Sequence, residues 1–97
     1  MKAYFRREER YEGLQVAFDK RTSNREEILK TIEDLKEEMG LTPDIFENCY
    51  EDDPNRCAFY IEFSDDYDRE AGEFFETLIF SLGIVCAGEI ITSLPFF

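Results

Sequence analysis

The stretch Cys57-Ala-Phe-Tyr-Ile-Glu-Phe63 constrains the fold more than any other part of the chain. It is short, aromatic and apolar at every position but Glu62, and acid closes it off on both sides: Glu51-Asp52-Asp53 before it, Asp65-Asp66-Tyr67-Asp68 after it. Such a run, bounded by turn-forming residues, predicts a buried β-strand. Each end of that strand then meets a carboxylate cluster, so the clusters stand at opposite margins of whatever sheet contains it, roughly 20 Å apart at about 3.3 Å per residue.

The chain on either side supplies the rest of that sheet. Ala3-Tyr4-Phe5 has strand character and Leu14-Gln-Val-Ala-Phe18 alternates with period two. Residues 3–19 therefore predict either one long, bulged strand or a hairpin turning near the charged stretch that ends at Gly13. Ser23 and Asn24 are candidate N-caps, each with a glutamate three residues on, and Ile28, Ile32, Leu35 and Met39, with Leu29, form the apolar stripe of a first helix. Gly40 closes this helix and Pro43 bars its continuation. Residues 44–50 predict a weaker strand that turns through Glu51–Arg56 into strand 57–63.

A second helix begins at Ser64 or Asp65, where acid in the first turn suits the helix dipole. Tyr67, Ala71, Phe74, Phe75, Leu78, Ile79 and Leu82 make its broad apolar face, and Gly83 ends it. Residues 84–91 predict a last strand, followed by an apolar tail, Leu94–Phe97. The order strand, helix, strand, strand, helix, strand predicts an α+β fold of the ferredoxin-like βαββαβ kind. This is a four-stranded antiparallel sheet with two helices on one face, in which strands 14–19 and 57–63 lie side by side at the centre. At 97 residues it is a single domain, 1–97.

Charge bears on function. The net charge of −12 is spread unevenly. Residues 1–23 carry six basic and four acidic side chains (+2), 24–40 three and six (−3), 41–70 two and ten (−8), and 71–97 none and three (−3). Binding a phosphate backbone depends on lysine and arginine displacing counterions, so nucleic acid is not expected as a direct ligand, nor is an anionic membrane surface. Aromatic sheets of the RNA-recognition type stack bases on their central strands, but the basic and glycine residues of that signature are missing here. The natural complement of such a chain is a basic protein surface.

Catalytic and metal chemistry find little footing. There is no histidine, and no serine or cysteine has an evident activating partner in the sequence. A calcium loop starting at Asp66 would need glycine and glutamate where Ala71 and Thr77 stand. Cys49, Cys57 and Cys86 lack zinc-ligand spacing and read as buried reduced thiols, with a disulfide between Cys49 and Cys57 as the alternative. No enzyme, metal or cofactor is therefore expected. With no leader and no apolar run long enough to span a bilayer, the sequence predicts an intracellular, cytoplasmic protein.

What remains is the acid itself. The candidate partner-binding residues are Glu47, Glu51, Asp52 and Asp53 on the hairpin, and Asp65, Asp66, Asp68, Glu70, Glu73 and Glu76 along the second helix. Carboxylates three or four apart on a helix stand about 5–6 Å from one another, and rows of them imitate a phosphate backbone. In size, composition and charge distribution the whole chain resembles the acidic nucleic-acid mimics with which phages and mobile elements block DNA-binding host proteins. These include anti-CRISPR proteins and inhibitors of restriction enzymes or uracil-DNA glycosylase. The resemblance implies a non-enzymatic inhibitor that occupies a basic groove on a nucleic-acid-binding partner; it rests on no motif and assigns no residue roles. The alternative is a self-associating domain, a homodimer formed through Tyr4 and Tyr60 on the sheet face or through the Leu94–Phe97 tail, whose acidity serves solubility.

Overall fold

The computed structural model describes residues 1–8, 11–64 and 68–84. Its elements run β1 (Lys2–Glu8), β2 (Tyr11–Asp19), α1 (Arg25–Met39), β3 (Asp44–Cys49), β4 (Arg56–Ser64) and α2 (Asp68–Leu82). The sheet has the order β1-β2-β4-β3, with every neighbouring pair antiparallel.

An α+β fold with a four-stranded antiparallel sheet is what the sequence predicts, and β2 and β4 do lie side by side at its centre. The ferredoxin-like order is not what forms. Two strands precede the first helix, because β1 and β2 pair with each other, Lys2 facing Ala17 and Glu8 facing Tyr11. β1 thereby occupies the edge beside β2 that a ferredoxin-like fold gives to its last strand. The strand expected at 84–91 and the tail beyond it lie outside the described residues.

The pleat sorts side chains onto two faces. One phase, Leu14, Val16 and Phe18 with Phe59, Ile61 and Phe63, meets Ile28, Ile32 and Leu35 of α1 and Ala71, Phe74, Phe75 and Leu78 of α2 in a single buried cluster. Both helices therefore cover the same face. Phe63 stands edge-on to Phe74 and Phe75, at 5.3 and 5.5 Å between ring centres, a geometry that aligns ring edges with π faces. Phe18 stacks on Phe59.

Local signals fix the helix ends. Asn24 caps α1, its Oδ1 accepting from the backbone N–H groups of Glu26 (3.0 Å) and Glu27 (3.3 Å). Gly40 takes the left-handed conformation at the other end, with φ 66°, and Leu41 N–H donates back to Lys36 C=O. α2 closes in the same way: Gly83 has φ 68°, Gly83 N–H donates to Phe80 C=O and Ile84 N–H to Ile79 C=O.

At the closed end of the β3–β4 hairpin, Cys49 faces Cys57 in register and the two form a disulfide, with Cα atoms 4.0 Å apart. The expectation of reduced thiols is overturned for these two residues; antiparallel pairing brings their Cβ atoms close enough for the two sulfurs to bond. Cys86 lies outside the described residues.

Candidate functional site

The carboxylates singled out in the sequence separate into those the fold neutralises and those it leaves facing solvent. Glu47 belongs to the first group. Its strand phase turns it to the helix side, where Arg25 at the start of α1 donates to it twice, Nε to Oε2 at 2.5 Å and Nη2 to Oε1 at 2.6 Å. The same guanidinium lies 5.5 Å from the centre of the Phe59 ring and bonds Glu26. The hydrogen bonds from Arg25 hold the Glu47 carboxyl below the usual range for a glutamate, and those from Glu47 and then Glu26 raise the arginine.

Asp53 is likewise engaged within the fold. One of its carboxylate oxygens accepts from Asn55 N–H at 3.2 Å, and the other lies 3.6 Å from Arg21. Arg21 in turn grips Asp19 through Nε and Nη2, and this hydrogen bonding holds the Asp19 carboxyl down at about 2. On α1, Lys30 pairs with Asp34 and Lys36 with Glu33, so part of that helix's acid is offset locally.

Glu51 and Asp52 project into solvent from the hairpin turn, and Glu70, Glu73 and Glu76 are exposed along α2. No lysine or arginine follows Arg69 anywhere in the chain. The solvent side of α2 from Glu70 onward therefore has no basic residue of its own to set against its carboxylates. Asp65 and Asp66 lie outside the described residues; Asp68 opens α2, where negative charge suits the helix N-terminus.

The sheet face turned away from the helices carries a cross-strand row, Tyr4, Gln15, Tyr60 and Phe46, placed by the register of four strands. Gln15 and Tyr60 are buried, at 1% and 4% exposure, and Phe46 stacks on Tyr60 while remaining half exposed. Burial first, and then the Glu62 carboxylate beside it, raises the Tyr60 phenol above its usual range. The Tyr60 ring lies where a β-carbon on Gly13 would have to sit, so only glycine fits at that position. Tyr60 is thus spent on packing rather than offered as an exposed ring, which removes one of the two tyrosines expected to serve an interface there.

A hollow of about 220 Å³ between the β1–β2 hairpin and α2 is lined mainly by Phe5, Phe75, Gly13 and Gly72, with Arg6, Glu12 and Glu76 at its polar side. Among the described residues no group of three or more cysteines, aspartates or glutamates is disposed to hold a metal ion. No helix among them is long and apolar enough to cross a membrane.

Set against known proteins, the chain matches no family model, no curated protein and no solved structure.

Sequence reasoning missed one residue of this surface. Phe80 is 86% exposed, in a helix whose other large apolar side chains are mostly buried. The signal was present: at 100° per residue Phe80 falls off the apolar stripe that Ala71, Phe74, Phe75 and Leu78 define.

Proposed function

We propose that this chain is a non-enzymatic binding protein whose acidic surface occupies a basic groove on a partner protein, in the manner of a nucleic-acid mimic. The observation that carries the reading is the exposed acid of α2: Glu70, Glu73 and Glu76 face solvent on a helix with no basic residue after its second position. Glu51 and Asp52 extend the negative surface at the hairpin turn, while Glu47 and Asp53 are held within the fold and serve the scaffold. A row of carboxylates one helical turn apart presents charge at a spacing comparable to that of successive phosphates. A basic groove built for nucleic acid is its electrostatic complement. A partner of this kind is a nucleic-acid-binding protein, and blocking its groove inhibits it without chemistry.

The test is capture of proteins from lysate by the full chain at low and high salt, beside a variant carrying Glu70→Lys, Glu73→Lys and Glu76→Lys. The expected outcome is a set of nucleic-acid-binding proteins retained at low salt, released at high salt and lost by the variant, whose circular dichroism stays that of the wild type. Capture of the same proteins by the charge-reversed variant, unaffected by salt, would sink the reading.

A further inference from the structure

Phe80 is the feature of α2 that the fold does not use. Ala71, Phe74, Phe75, Leu78 and Ile79 point into the core, and at 3.6 residues per turn Phe80 falls on the opposite pole of the helix, in line with Glu73, Glu76 and Thr77. Single exposed apolar side chains are common. This one is a whole aromatic ring at the middle of a polar face, flanked by exposed carboxylates, and the backbone that carries it is held. The left-handed Gly83 and the two backbone bonds from Gly83 and Ile84 close the very turn that carries it. Buried Ile84 pins that end of α2 to the core.

An aromatic side chain carried on a closed helix end and set among charge has the make-up of an interface anchor: aromatic residues dominate binding energy where they enter a pocket and a polar rim excludes water. The surroundings decide what kind of partner fits. A second copy of this chain would bring its own Glu73 and Glu76 against these, and the chain as a whole carries −12; like charges face to face oppose that contact. We infer that the solvent face of α2 is a docking surface on which Phe80 enters an apolar socket of a partner protein, with lysine or arginine around the socket meeting Glu73 and Glu76. This rests on the acidic-surface reading above and adds to it an apolar contact that no phosphate backbone makes. The partner's groove therefore includes an apolar depression beside its basic residues.

The experiment uses a displayed library of random peptides, selected on the full chain and counter-selected on the Phe80→Ala chain. The expected peptides combine an apolar cluster with lysine or arginine, lose about tenfold in affinity on Phe80→Ala, and weaken as salt rises. Selected peptides rich in lysine and arginine that bind wild type and Phe80→Ala equally would overturn this inference and leave the acidic reading standing. Peptides that require Phe80 but carry no basic residue would overturn both. Sedimentation supplies a further arm: a wild-type dimer that Phe80→Ala converts to monomer would make the occupant a second copy and defeat the proposal. Since Phe80 packs against little, the variant is expected to fold as the wild type does.

Discussion

Glu47 shows how a single residue changes meaning once the register is known. In the sequence it is one more acid in an acidic hairpin; in the fold it is the carboxylate that ties edge strand β3 to the first turn of α1 through Arg25, 22 residues away. Nothing local announces that pairing, because it depends on which way β3 turns its phases and on where α1 begins above it. The ion pair has a testable pH signature. The carboxyl of Glu47 is lowered by its hydrogen bonds from Arg25, so the folded state holds its proton less tightly than the unfolded chain does. The resulting stability is present above the ordinary glutamate range, near pH 4.3, and is lost as pH falls through the lowered folded value. Both side chains are 30% exposed, so solvent screens the pair and its worth is about 1 kcal/mol. Urea unfolding of Glu47→Gln is expected to show that deficit at neutral pH and none in strong acid, where the wild type has lost the same interaction. A deficit independent of pH would mean that Glu47 acts through packing instead.

Among the elements, α1 was the most legible, because everything that defines it is local: the Asn24 cap, the Ile28–Ile32–Leu35 stripe and Gly40. The strands were legible as strands but not in their neighbours. Alternation marks Leu14–Phe18 as half-buried, yet the residues themselves do not say whether Ala3–Phe5 continues that strand or turns back on it. The hairpin wins since it gives β2 a second partner along most of its length and buries Ala3 in the core. The β3–β4 hairpin carries a covalent constraint besides its ladder. Cys49 and Cys57 are eight residues apart, and closing a loop of that length removes unfolded-chain entropy worth about 2.5 kcal/mol. Replacing both cysteines with alanine is expected to cost roughly that much in urea unfolding, and treating the wild type with a dithiol reductant should reproduce the loss. If reductant leaves the urea midpoint unchanged while the thiols are shown to be free, the bond adds nothing beyond the ladder it spans.

At the scale of the whole molecule, the acid proposed to serve a partner opposes the fold. The sequence showed the size of the charge, and the structure shows part of it answered locally: Arg25, Arg21, Lys30 and Lys36 pair with neighbours, whereas α2 beyond Arg69 has no cation of its own. What could not be read from the residues is which carboxylates the fold would claim for itself, since that depends on strand phase and on contacts between distant segments. The molecule measures 36 × 28 × 22 Å. At an ionic strength of about 0.01 M the screening length is near 30 Å, so carboxylates anywhere on such a body repel one another; at about 0.15 M it falls to roughly 8 Å and only neighbours interact. Salt also weakens the ion pairs, but with 23 acidic against 11 basic side chains repulsion outweighs attraction and fixes the sign. The thermal midpoint is therefore expected to rise between these two conditions, by about 4–8 °C if the relief amounts to roughly 1 kcal/mol. A basic partner seated on α2 neutralises the same charges, so it should raise the low-salt midpoint by the amount its affinity sets, and progressively less as salt weakens that affinity. A midpoint that falls with salt would mean that the paired cations outweigh the exposed acid, and that the negative surface places no strain on the fold.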